Sequence, residues 1–132
     1  MSELKNQISQ FIDTNAKIYQ DISLAIHAKP EVSDFEYFAS QTLSEQLKKE
    51  GFEIELPAAG HRTGFAATYK SNKPGPTVVF LAEYDALAGL GHGCGHNVFG
   101  ATSSLAGAAL KSIVDQIGGE VRVYGTPGEE GG

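Results

Sequence analysis

An unbroken apolar run, Thr77-Val78-Val79-Phe80-Leu81-Ala82, passes almost directly into a glycine-rich loop from Asp85 to His96. An alanine-rich stretch, opened by Asn97 as its cap, then reads as a helix to about Ile117, where Gly118-Gly119 ends it. Val121, Val123 and Tyr124 make a further strand. Strand, loop, helix and strand in this order form the unit that joins two parallel strands by a crossover, which restricts the chain to an open α/β sheet. A strand with no polar alternation also reads as a central one, covered on both faces.

The preceding residues supply the rest of such a domain. Leu4, Ile8, Phe11, Ile12, Ile18, Tyr19, Ile22 and Ile26 recur by threes and fours, so residues 2 to about 28 read as one helix with an apolar stripe, ended by Pro30. A second helix is expected from Ser33, with Glu36 completing a capping box; Phe35, Phe38, Ala39, Leu43 and Leu47 form its inner face and Gly51 its terminal cap. Phe52, Ile54 and Leu56 alternate with acids as a short strand, Phe65 to Tyr69 forms another, and Asn72 to Pro76 is a turn. The order is ααβββαβ. The expected fold is one α/β domain with an open, mostly parallel sheet and flanking helices.

Charge narrows the partners. Ten basic against sixteen acidic residues give −6, and Lys111 and Arg122 are the only Lys or Arg beyond Lys73. Nucleic acid and anionic membranes need clustered cations, so neither is an expected partner. The apolar runs fall far short of the ~20 residues that span a bilayer. A single cysteine, Cys94, cannot close an internal disulfide, which points to a reducing cytoplasm.

Two loops leave strand ends, where open α/β sheets bind their ligands. They also hold much of the glycine, since 12 of the 16 glycines lie from Gly89 onward. The first reads Gly89-Leu90-Gly91-His92-Gly93-Cys94-Gly95-His96-Asn97. It lacks the spacing of a dinucleotide fingerprint and the Gly-Lys-Ser/Thr of a phosphate loop. Thiolate and imidazole are ligands for an ion such as zinc, and glycines let Cys94 and His96 converge on one point. The same residues also read as a buried thiol and a capping histidine beside a tight turn. In the second loop, Thr126-Pro127-Gly128-Glu129-Glu130-Gly131-Gly132, adjacent carboxylates can point apart, one holding a metal while the other takes a proton from water. Taken alone, such a pair is usually just a solvated one. Asp85, at the mouth of the apolar strand, could orient a ligating imidazole or simply cap a loop. His27 reads as a capping or packing residue, His61 as a loop residue, and Glu31, Asp34 and Glu36 as helix-start acids matched to the dipole.

Ala82-Glu83-Tyr84-Asp85-Ala86-Leu87, Gly91-His92-Gly93-Cys94-Gly95-His96-Asn97 and Gly125-Thr126-Pro127-Gly128-Glu129-Glu130-Gly131-Gly132 together resemble the M20 metallopeptidases. The nearest branch is the amidohydrolases of N-acyl amino acids, aminobenzoyl-glutamate or dipeptides, whose stretch after the first helix is similar to Ile26-His27-Ala28-Lys29-Pro30-Glu31. The resemblance implies that Cys94 and His96 are two ligands of a dinuclear centre, Glu130 a third, Glu129 the general base and Asp85 the supporting aspartate. It implies two zinc ions, with manganese possible, and a small-molecule amide, N-acyl amino acid or short peptide as substrate. Asn97 departs from the aspartate of much of the branch, Ala88 from a usual proline and Gly128 from a usual alanine. Family members continue into two further histidine ligands and a dimerisation or lid domain. Residues 1–132 are therefore expected to be part of a catalytic domain, an amino-terminal fragment with weak or no activity, whose full-length form is a homo-oligomer. The alternatives are a non-catalytic fragment with a binding or structural role, and a cysteine hydrolase using Cys94 with His92 or His96.

Overall fold

The computed structural model describes residues 2–131; Met1 and the terminal Gly132 lie outside them. Its elements are α1 (Ser2–Ala28), α2 (Tyr37–Lys49), β1 (Glu53–Glu55), β2 (Phe65–Lys70), β3 (Thr77–Ala82), α3 (His96–Ile117) and β4 (Glu120–Gly125). The strands form one sheet in the order β1-β2-β4-β3. β3 and β4 are parallel, joined through α3 as the crossover pattern required, while β1–β2 and β2–β4 are antiparallel. The open α/β architecture with flanking helices is thus the observed one, but the sheet among the described residues is mixed rather than mostly parallel.

The core forms where α2 and α3 cover one face of the sheet and α1 packs across α3. Tyr19, Ile22 and Ile26 of α1, Leu43 and Leu47 of α2, Ala108 and Val114 of α3, Phe65 and Ala67 of β2, and Val121 and Val123 of β4 are all buried there. α3 meets β4 at Gly107, where a Cβ would lie 2.3 Å from Val123 Cγ2. Only a glycine lets the helix sit this close. Ile18, placed on the α1 stripe by its spacing, is exposed.

Three local expectations are corrected. First, α2 begins at Tyr37, not Ser33, because Asp34 takes a left-handed φ of 68° that no helix tolerates. Phe35 consequently lies outside the helix and is exposed. Glu36 occupies the cap position without capping; the Glu31 carboxylate does so instead, accepting the Phe38 and Ala39 N–H groups at 2.9 and 3.0 Å. Second, Asn97 does not cap α3. Gly95 holds that position with φ 78°, and the Asn97 amide donates to the Ser23 carbonyl and hydroxyl, tying α3 to α1. Third, among the described residues β3 is an edge strand, with Val78, Val79 and Leu81 each more than a third exposed. Continuous apolarity records that a strand is to be covered, not what covers it. No helix among the described residues is long and apolar enough to cross a membrane.

Candidate metal centre

The alternation of β3 continues one turn of the pleat beyond its end. Tyr84 points into the core, stacks on Phe65 with ring centres 6.0 Å apart, and donates its hydroxyl to the Thr63 carbonyl. Its neighbours Glu83 and Asp85 therefore share the other side, and both reach His96, the first residue of α3.

Asp85 is the hub of this region. Buried to 1 % exposure, it places its carbonyl and its Oδ1 each 3.0 Å from His96 Nδ1. Its Oδ2 accepts the Glu130 N–H at 2.8 Å and the Ser33 hydroxyl at 3.1 Å. Two acceptors at Nδ1 fix the proton there in the neutral ring and aim the Nε2 lone pair outward. That nitrogen faces three more carboxylates: Glu83 Oε2 at 2.9 Å, Glu130 Oε1 at 3.7 Å and Glu129 Oε2 at 4.0 Å. Burial pulls the imidazole down, but the Asp85 carbonyl, the Asp85 carboxylate and Glu83 outweigh it and hold His96 above its usual range. Among the described residues no Lys or Arg pairs with any of these acids.

The Glu-Glu loop is fixed from below by a second buried carboxylate. Glu36, fully buried, accepts the Thr63 hydroxyl and the Gly128 N–H, both at 2.9 Å. Burial pushes it above the ordinary carboxylate range, against the opposing effect of those hydrogen bonds. Thr126 is tied to the Ala82 carbonyl through its N–H at 2.9 Å. The two strand-end loops are therefore joined at several points, and Glu129 is left half exposed at the rim.

The structure thus gathers Asp85, His96, Glu129 and Glu130 at one place. Cys94 lies beside them but is exposed rather than buried, and the neighbouring Glu130 carboxylate, with the other surrounding acids, holds its thiol above its usual value. Glu83 was missed by the sequence reading, although its position two residues before Asp85 on a strand-like segment is the signal that places both on one side. Glu83, His96 and Glu129 offer donor atoms all within 4.8 Å of one another. One imidazole nitrogen and several carboxylates without a cationic partner fit a divalent ion such as zinc or manganese. His92 stands apart, stacked on His27 at 6.3 Å between ring centres, with neither ring nitrogen hydrogen-bonded.

No protein-family model matches the chain. Over its whole length it is 34 % identical to one of the polypeptides of the p-aminobenzoyl-glutamate hydrolase of Escherichia coli K12, of which it covers 31 %. The chain spans about a third of the length of the curated relatives it matches. Among solved structures, a protein of methicillin resistant Staphylococcus aureus described as an aminohydrolase superposes with a TM-score of 0.82 at 28 % identity, over 95 % of this chain and 35 % of that one. YXEP of Bacillus subtilis, a dinuclear metal binding peptidase from the M20 family, has the same fold, with a TM-score of 0.65 at 23 % identity over 96 % of this chain and 36 % of that one.

Proposed function

Because the chain belongs to the M20 peptidase family, we propose that residues 1–132 are part of the catalytic domain of a metal-dependent hydrolase. Its reaction is cleavage of the amide bond of an N-acyl amino acid or short peptide. The observation that carries this reading is His96, its Nδ1 held by Asp85 and its Nε2 turned to three carboxylates. p-Aminobenzoyl-glutamate, named in the E. coli relative, is itself an N-acyl amino acid.

His96 and Glu130 are the protein's ligands to the ion, with Cys94 as the soft ligand beside them. When bound, a divalent ion polarises the scissile carbonyl and acidifies the attacking water. Glu129 takes the proton of that water: its carboxylate is half exposed and lies on the Nε2 side of His96. It then returns the proton to the leaving amine. Asp85 does not touch substrate; it keeps His96 in the tautomer that ligates and, through the Glu130 N–H, sets the loop that carries the base. The family resemblance puts two more histidine ligands outside these residues, so this chain by itself is expected to hold one ion and to turn over weakly or not at all.

The test is metal content together with hydrolysis of a panel of N-acyl amino acids. One zinc or manganese ion per chain is expected, and a chelator should remove both the ion and any turnover, which added zinc or manganese restores. A chain that binds neither ion, or loses turnover only to a thiol alkylator, overturns the reading; the second result would favour a cysteine hydrolase using Cys94.

A further inference from the structure

The Glu83–His96 contact raises a problem of charge. Asp85 supplies acceptors to Nδ1 from both its carbonyl and its carboxylate, so the neutral ring carries its proton there and presents a lone pair at Nε2. Glu83 Oε2 lies 2.9 Å from that Nε2. Two lone pairs do not approach this closely with nothing between them; a proton or a cation has to lie on the line. Glu83 makes no other side-chain hydrogen bond or ion pair among the described residues, and only 23 % of its side chain is exposed. It is set one residue beyond the end of β3.

Resting on the metal-hydrolase reading above, we infer that Glu83 is itself a metal ligand of this chain, sharing the ion with His96 and the Glu129-Glu130 loop. Donors on a tetrahedral ion at about 2.0–2.2 Å stand roughly 3.3–3.6 Å apart. The distances from His96 Nε2 to Glu83 and Glu130, 2.9 and 3.7 Å, bracket that spacing. Glu83 supplies the donor that lets these residues hold one ion without histidines from elsewhere. Because Glu83 adds a second carboxylate beside the Cys94 thiolate, the site gains oxygen donors and takes manganese as well as zinc.

The chain is titrated with Mn²⁺, read by the loss of the free-ion electron paramagnetic resonance signal, and with Zn²⁺ by equilibrium dialysis. Glu83→Gln should weaken Mn²⁺ binding by at least about tenfold, the low end of what disturbing even a ligand's supporting contacts costs. Glu83→Asp, which keeps the charge on a shorter arm, should fall between Gln and wild type. Circular dichroism of both variants shows that the fold is retained, and if one fails to fold the other decides. Wild-type affinity or tighter binding in the folded variant overturns the inference, because Glu83 would then be only a partner of the ring that the ion displaces. A wild-type chain that binds neither ion overturns the metal-hydrolase reading as well.

Discussion

The Asp85 carboxylate meets His96, Ser33 and the Glu130 N–H at once, and the demand on it is geometric. Its Oδ1 accepts from His96 while Oδ2 accepts from Glu130 N–H and Ser33. In Asp85→Asn one of those two sides becomes a donor facing donors, leaving buried groups without partners at a cost of about 1–3 kcal/mol. Urea unfolding should report that loss, and metal affinity should fall about 10–100-fold as His96 loses its orientation. Glu129→Gln is the converse case. Half exposed and without a structural hydrogen bond among the described residues, Glu129 should be replaceable with unchanged unfolding midpoint and metal content, while any hydrolysis of the kind proposed above should drop about 10²–10⁴-fold.

Glu36 gives a pH signature of its own. Burial raises its folded value above 4.5, so the ionised form is the one the fold disfavours. The stability it contributes is complete in acid, below its unfolded value, and is lost as pH rises through the raised folded value. Unfolding free energies of wild type and Glu36→Gln, compared at pH 5 and pH 7.5, should therefore differ more in favour of wild type at pH 5. At this scale the sequence showed which side chains carry reactive groups, but not which acids converge. Glu31, Asp34 and Glu36 all read as helix-start acids; one caps α2, one adopts a left-handed backbone and one is buried beneath the Glu-Glu loop. Their separation depends on a backbone reversal at Asp34 that no local propensity announces.

Among the elements, the β3–α3–β4 crossover was the most legible, since a parallel pair needs a connection of a dozen or more residues, and here glycines flank the helix that supplies it. Its packing distance was not. α3 lies close to β4 because Gly107 has no side chain, and Gly107→Ala would bring a methyl within 2.3 Å of Val123 Cγ2 unless the helix shifts. Overpacking of this kind costs about 1–3 kcal/mol. The expected rescue is specific: Val123→Ala in the Gly107→Ala background should recover part of the lost stability, although Val123→Ala alone destabilises by opening a cavity in the core. A double-mutant cycle in urea measures the coupling; additive effects would mean that helix and strand are not held together at this point.

For the whole molecule, the informative asymmetry is between the two edges of the sheet. β1 carries Glu53 and Glu55, exposed acids of the kind that keep an edge from pairing with another chain. β3, at the other edge, carries no charge at all. Its register sets Val79 opposite Arg122 and Leu81 opposite Tyr124, so both point away from the face on which Val121 and Val123 are buried among the helices. Val79 is 42 % and Leu81 51 % exposed. Among the described residues nothing pairs with the outer edge of β3 or covers this face, and an apolar strand so placed lowers its free energy by gaining a neighbour, which at high concentration is another copy. The chain should therefore associate reversibly as concentration rises. Leu81→Lys should keep it monomeric, because a charge on that face must be desolvated for sheets to stack or strands to align. The exposed position makes the substitution nearly neutral for the fold, within about 0.5 kcal/mol. Sedimentation velocity across a hundredfold concentration range separates the two chains. Equal association of wild type and Leu81→Lys would place the contact elsewhere and leave the exposed apolar face of β3 without effect in solution.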